Sequence, residues 1–497
     1  MVAMPVIERT KRLAPRLGLL FGLLLAWGCA PAQGGGSPPL ARSGFSFDGG
    51  DELALPLRVV GERFVDALGR VVILRGVNLA GNSKVPPFVP IAQEESLDPL
   101  PGLGLNALRL LFTWEAYEPA PGQYDEGYLE AILRIAGWAG ERGLYTLLDF
   151  HQDAFSRFTD FGCGDGFPRW TLPPSVTPAR PDNDESCWDW PVKSFFAPGV
   201  HAAWKAFYQD DHGARTRYLA MIQRVAERAA EIPAIIGYDL LNEPRGDEAR
   251  EILPLYEDAA RAVRAKDPDS ILFLCPEMMV SSGQQSKLPR PAFANFAYAP
   301  HFYDPGVVVL HAWLGDGPPD GLGHMLDKAR DFGVPLIVNE YGAPSGTRRI
   351  QEYLGTLTDW MDANFVSGAQ WNYTPGWTEE GKDGWNGEDL SIVDGHGQLR
   401  DTAYLAPHLL RAGGEPIHWI LTHTENPADN TVSFTWNQRA PGLAAEIHLD
   451  SASYFGVAAV VESSDPGLRC ALEGKRVLCQ AEAAGVQNVR LRASARE

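Results

Sequence analysis

Ile235-Ile-Gly-Tyr-Asp-Leu-Leu-Asn-Glu-Pro244 decides how this chain is read. An apolar, strand-like run from Ile235 to Leu241 ends on Asn242 and Glu243, and Pro244 stops it. A second stretch, Pro335-Leu-Ile-Val-Asn-Glu-Tyr-Gly342, repeats the plan and ends its run on Asn339 and Glu340. Carboxylates at the ends of two different parallel strands can face one small cavity. Such a pair is the minimum machinery for breaking a glycosidic bond.

Outward from these two strings, short apolar runs alternate with amphipathic stretches. The runs cover residues 71–79, 107–114, 145–151, 235–243, 271–277, 293–303, 335–341 and 368–373. Helix-like periodicity fills 124–142, 215–231, 248–266, 323–332 and 347–364. Strand-like runs interleaved with helical patterns in this way predict an α/β fold, a TIM (β/α)₈ barrel, with its active site at the C-terminal ends of the strands. Residues 152–200 form one long connection rich in Pro, Gly, Asp and aromatics, and a loop of that length is expected to be an ordered flap over the site. After about residue 414 strand-like runs joined by turns replace the helices, which predicts a C-terminal β-sandwich. The expected layout is a signal peptide at 1–29, a flexible linker at 30–50, the barrel at 51–412 and the sandwich at 413–497.

Composition narrows the function. Against 43 Lys and Arg stand 63 Asp and Glu, a formal charge of −20. That balance argues against nucleic acid and against electrostatic docking on an anionic membrane. The 14 Trp, 15 Tyr and 22 Phe suit both sugar stacking and a large core. At the N-terminus, Lys11, Arg12 and Arg16 precede the apolar run 17–26, a basic and then apolar export signal too short to span a bilayer comfortably. Two cleavage sites compete. Gly28-Cys29 resembles a lipoprotein signal with Cys29 as the lipidated residue, and Ala30-Pro31-Ala32 offers an ordinary small-x-small site. Either site takes the mature protein out of the cytoplasm, secreted or held in the cell envelope. Cysteine use agrees: Cys163 and Cys187 share one loop, Cys470 and Cys479 flank a turn, and each pair is placed to form a disulfide. Cys275 follows an apolar run and is expected as a buried free thiol.

Further residues join the two glutamates. Glu243 is the candidate acid/base and Glu340 the candidate nucleophile of a retaining mechanism. Asn242 is placed to bond a sugar 2-hydroxyl. Arg109 lies inside Leu108-Arg-Leu-Leu111, an odd site for a cation unless it is paired, and would hold the nucleophile ionised. Asp149, His151 and Asp153 alternate along one side of an extended segment, too many polar groups for a packed core. A sugar-binding edge is the reading preferred there over a metal site, which would lack a clear fourth ligand. His301 and Tyr303 also alternate, and the Tyr303 hydroxyl would support an ionised Glu340. Trp371 would form a platform under the sugar. Phe155, Phe158, Met278, Met279, Val280 and residues 86–90 are candidates for an apolar channel beside Glu243. No metal or organic cofactor is expected.

Arg109, His151, Asn242, Glu243, His301, Tyr303, Glu340 and Trp371 resemble, in order and strand position, the hallmark set of glycoside hydrolase family five. The segment Asp149-Phe-His-Gln-Asp-Ala-Phe-Ser156 resembles the strand-three signature of its endoglycoceramidase (endoglycosylceramidase) branch. Gly76-Val-Asn78, Phe167-Pro-Arg-Trp170, the Trp-rich stretch after strand eight and the appended β-sandwich are similar too. The resemblance implies a retaining β-glycosidase that releases sugar from a glycolipid such as a glycosylceramide. It also implies that Asp149, His151 and Asp153 grip the glucose next to the lipid, with Lys84 as a further contact. Alternatives are a steryl- or alkyl-β-glucosidase, a polysaccharide endoglucanase, or a non-catalytic carbohydrate-binding barrel. A glycolipid or β-glucoside is the expected partner. A monomer is expected, with membrane association through a lipid anchor or through the substrate.

Overall fold

A computed structural model describes residues 53–494, apart from residues 80, 179, 180, 182, 316–319 and 464. The export signal, Cys29 and the whole linker lie outside the described residues. Among the described residues, one parallel sheet forms the centre: Arg75–Leu79, Ala107–Thr113, Tyr145–His151, Ile235–Asp239, Ile271–Leu274, Phe296–Tyr298, His301–Phe302, Ile337–Tyr341 and Ser367–Gln370. Phe296–Tyr298 pairs with Ile271–Leu274, while His301–Phe302 pairs with Ile337–Tyr341 on the other side. These two short strands are one chain run interrupted at Ala299-Pro300. The run closes the sheet into an eight-membered barrel, with Asn339 N–H donating to the Pro300 carbonyl at 2.9 Å.

The helices that return the chain, including Glu126–Glu141, Ala214–Ala229, Leu253–Arg264, Asp320–Phe332 and Ile350–Ala363, bury one apolar face each against this barrel. The first begins at Asp125, whose carboxylate accepts from the Tyr128 N–H at 3.0 Å, so the sequence supplies its own N-cap.

Two antiparallel sheets stand beside the barrel. His408–Ala412, Ala444–His448, Leu468–Glu473 and Arg476–Ala481 belong to one; Gly414–Thr422, Thr431–Gln438, Ala459–Ser463 and Gly485–Ala493 form the other. Leu409, Ile447 and Val477 from the first pack with Phe434, Trp436 and Leu491 from the second in one core, which makes a sandwich.

The boundary expected near residue 412 needs correcting. Arg58–Val60, Arg63–Val65 and Val71–Val72 join the seven-stranded sheet, where Arg411 pairs with Val72. The run 71–79 is therefore two strands, not one. Val71 and Ile73 face the sandwich core, and the chain enters the barrel only at Arg75. His408–Ala412, assigned from sequence to the barrel, is a strand of the sandwich as well.

Candidate active site

Polar side chains gather where the barrel strands end. Arg109, on the second strand, is fully buried and acts as the hub. Its Nη1 donates to Glu340 Oε1 at 2.5 Å and to Asn78 Oδ1 at 2.9 Å. Its Nη2 donates to Asn242 Oδ1 at 2.8 Å and to Asp239 Oδ2 at 2.9 Å, and lies 2.9 Å from Asp149 Oδ1. A planar five-donor fork suits this many oxygens, and a lysine would not. Burial alone would weaken the guanidinium charge, but Asp149, Asp239 and Glu340 outweigh that and hold it firmly protonated.

Glu340 sits within the seventh strand. Arg109 binds one of its oxygens, and the Tyr303 hydroxyl donates to the other at 3.0 Å. Glu243 follows the fourth strand in a turn that gives it a φ of +37°. Gln152 Nε2 fastens that turn by donating to the carbonyls of Asn242 and Glu243, at 2.8 and 3.1 Å. Burial first, and then the Asp153 charge, push the Glu243 carboxyl from an ordinary 4.5 up to about 8. His301 lies between the two acids. Its Nδ1 is 2.9 Å from Glu243 Oε1 and 3.4 Å from Glu340 Oε2. Burial lowers the imidazole to about 4, so it is neutral near pH 7. Carboxylate oxygens of the two glutamates and a His301 nitrogen all fall within 4.8 Å of one another. The chain thus brings together one carboxyl that burial keeps protonated and one whose two oxygens are each fixed by a donor, an arrangement that suits acid catalysis beside a nucleophile.

A second cluster adjoins the first. His151 Nδ1 is 2.7 Å from Asp149 Oδ2, and its Nε2 is 3.3 Å from Asp153 Oδ2. Burial opposes the imidazolium, but Asp149 and Asp153 prevail and raise His151 to about 10. Lys84 Nζ donates to Asp153 Oδ2 at 2.5 Å and lies over the rings of Trp371 and Trp385, at 4.2 and 4.0 Å. Trp371 is 4% exposed, and its ring runs nearly parallel to His151 with 5.7 Å between centroids. Asn242 uses both ends of its amide: Oδ1 accepts from Arg109, and Nδ2 donates to the Gln152 carbonyl at 3.0 Å.

Sequence reading gave no role to Asp239, Gln152, Glu388 or Asp165, and marked Asn339 only as the neighbour of Glu340. Asp239 Oδ2 also accepts from Asn339 Nδ2 at 3.0 Å, so it anchors the hub from behind. Its signal was an acid inside the apolar run 235–241, the same kind of signal that marked Arg109. Glu388 accepts from the indoles of Trp190 and Trp371, at 3.2 and 3.3 Å, and thereby ties the long connection after strand three to the loop after strand eight. A Cys163–Cys187 disulfide braces the same connection, and Cys470–Cys479 links two strands of the sandwich. Cys275 is a buried free thiol, 3.8 Å from His301 Nε2.

The apolar channel requires correction. Phe155 is fully buried and stacks on Phe167 with 4.2 Å between centroids, and Phe88 and Val280 are core residues as well. Their burial satisfies the fold and leaves no face for a ligand. Phe158, Met278 and Met279 remain half-buried.

Among the described residues, two groups have ligand atoms close enough for a metal ion: His151 with Asp153 and Asp165, and Glu243 with His301 and Glu340. Neither donor set suits one. The Lys84 ammonium already neutralises Asp153, and Arg109 and Tyr303 already occupy both oxygens of Glu340.

The model of the cellulase family, glycosyl hydrolase family 5, matches residues 65–376. Endoglycoceramidase I of Rhodococcus hoagii is 27% identical over 355 residues, which cover 64% of this chain and 68% of the relative. An endoglycoceramidase of Cyanea nozakii is 28% identical over 286 residues, covering 49% of this chain and 56% of the relative. Among solved structures, endo-glycoceramidase II from Rhodococcus sp. in a cellobiose-like imidazole complex has a TM-score of 0.69 at 25% identity, covering 87% of this chain and 99% of that one.

Proposed function

This chain belongs to glycosyl hydrolase family 5, and from that membership we propose that it is a glycolipid-directed β-glycosidase, cleaving the bond between sugar and lipid by double displacement at Glu243 and Glu340. It is a retaining glycoside hydrolase. The glycolipid substrate is inferred from its likeness to two endoglycoceramidases at 27% and 28% identity. The observation that carries the residue roles is the pair itself: two carboxyls within 4.8 Å, one raised to about 8 and the other bound by Arg109 and Tyr303.

In the first step Glu340 attacks the anomeric carbon. The bond to the lipid oxygen breaks, and Glu243 gives that oxygen its proton. The departing alcohol is thus released neutral, and the sugar is left esterified to Glu340. Glu243, now ionised, takes a proton from water as the water oxygen bonds to the anomeric carbon and the ester breaks. Two inversions return the original configuration. Arg109 and Tyr303 orient Glu340 between its two strands. Lys84, Asp149, His151, Asp153, Asn242 and Trp371 grip the sugar, and Phe158, Met278 and Met279 meet the lipid beside Glu243.

Among the described residues no helix is long and apolar enough to cross a membrane. Export is proposed on the basic-apolar start of the chain, with lipidation at Cys29, membrane association through that anchor or the substrate, and a monomeric state. Mass analysis of the mature N-terminus distinguishes a lipidated Cys29 from cleavage after Ala32. The function is tested with a panel of glucosylceramide, longer glycosylceramides, a steryl glucoside and cello-oligosaccharides, with mass detection of sugar and lipid. Release of intact glycan and free ceramide supports the proposal. Rapid cleavage of cello-oligosaccharides alone overturns it.

A further inference from the structure

Asp165 lies in the first third of the long connection, where the chain folds back on the exit of strand three. Its N–H donates to the Asp153 carbonyl at 2.9 Å, and the two residues form an isolated antiparallel bridge. Glycines on both sides permit this closeness. A Cβ at residue 164 would lie 2.5 Å from the Asp153 carbonyl oxygen, and one at residue 166 would lie 2.4 Å from the Gln152 Cβ. The Asp165 side chain is fully buried, and neither of its carboxyl oxygens has a donor.

An ionised carboxylate can only accept, and a buried one without donors is disfavoured. The cations nearby are committed elsewhere. Lys84 Nζ bonds Asp153 at 2.5 Å, and His151 divides its two nitrogens between Asp149 and Asp153, at 2.7 and 3.3 Å. Oxygen and nitrogen atoms of His151, Asp153 and Asp165 fall within 4.8 Å of one another. Within this cluster Asp153 is a group able to take a hydrogen bond from Asp165, and only a protonated Asp165 can give one.

We propose that Asp165 is a neutral carboxylic acid whose hydroxyl donates to Asp153, making it the positioning residue that locks the Lys84–Asp153–His151 cluster to the flap. Burial and the Asp153 charge both push the Asp165 carboxyl well above the ordinary carboxylate range. Lys84 and His151, against the effect of burial, hold Asp153 below it. One proton is thus shared by two neighbouring acids, and its place is set by which of them the cations face. The groups facing Asp165 are Lys84 from the 3₁₀ turn Gly81–Lys84 and His151 and Asp153 from the third strand and its exit. The consequence rests on the sugar-gripping role given to this cluster above. The protonation state does not.

Two measurements test it. Infrared spectra of E243Q and of the E243Q/D165N double variant are compared at pH 7, with Glu243 replaced so that its own carboxyl does not contribute. Burial also raises Asp239, Glu277, Asp359 and Asp383 to about 7, so the difference between the two spectra is read: a neutral-carboxyl component present in E243Q and missing from the double variant is expected, and a difference spectrum without it overturns the proposal whatever the substrate. Activity is then compared in the Glu243 parent. D165N keeps a donor of the same shape and is expected to stay within about threefold of the parent in kcat/KM, whereas D165A is expected to lose about tenfold or more, mostly in KM. A D165N variant that misfolds, or that is as impaired as D165A, contradicts the assignment.

Discussion

Glu243→Gln separates the two consequences of burying an acid. The carboxyl is raised from 4.5 to about 8, and its side chain is only 11% exposed. A group whose folded pKa exceeds its unfolded one gives its full stabilisation below the unfolded value, and that contribution is lost as pH rises through the folded value. Wild type is therefore destabilised progressively between pH 4.5 and about 8. At about 1.4 kcal/mol per unit, the deficit is about 3 kcal/mol at pH 7 and about 5 kcal/mol above pH 8. Glutamine has the same shape, can still bond His301 Nδ1 and never ionises. E243Q should melt several degrees above wild type at pH 8, and the two melting temperatures should converge toward pH 4.5. The same variant should lose about 10²- to 10⁴-fold in turnover of a substrate whose leaving group is an alkoxide, because the proton donor is gone. Scanning calorimetry across pH beside the activity assay reads both. Equal melting temperatures at pH 8 would mean that no desolvation burden rests on Glu243, and the acid assignment would lose its physical basis.

Other outcomes follow from the same contacts. In wild type, kcat/KM should fall above pH about 8 as Glu243 ionises. Asp153→Asn removes a charge that helps raise Glu243, so this alkaline limb should move to lower pH; a limb that stays in place counts against the coupling. Arg109→Lys cannot reproduce the fork and should cost at least about 100-fold in kcat/KM, the loss of about two charge-assisted hydrogen bonds; near-normal kinetics would show that the hub is dispensable. Cys187→Ser opens a 24-residue link in the flap, a constraint worth about 3 kcal/mol, and limited proteolysis should then cut first within residues 163–187.

Much of the barrel was legible because its strands are buried on both faces and read as uninterrupted apolar runs. Arg109 stood out in the sequence for the same reason, as a charge that such a run cannot hold unpaired. Asp239 carried an identical signal but was passed over because it precedes the more conspicuous Asn242-Glu243. The strands at 58–72 were not legible: their partner, His408–Ala412, lies more than 300 residues away, and nothing local marks which sheet they join. The division of 71–79 between two cores was hidden because both environments select the same apolar residues. Phe155 looked like a channel wall, since composition does not distinguish an aromatic that faces a ligand from one that fills a core. Asp165 and Glu388 sit in loops, where an acid is ordinary; the full burial of Asp165 and the partial burial of Glu388 make them unusual.

The most direct test of double displacement is to trap its covalent intermediate. A 2-deoxy-2-fluoro glycoside with an activated leaving group should inactivate the enzyme, and peptide mass analysis should find the sugar on the fragment that contains Glu340. A label on Glu243 or any other residue, or turnover that releases the sugar with inverted configuration, would contradict the account.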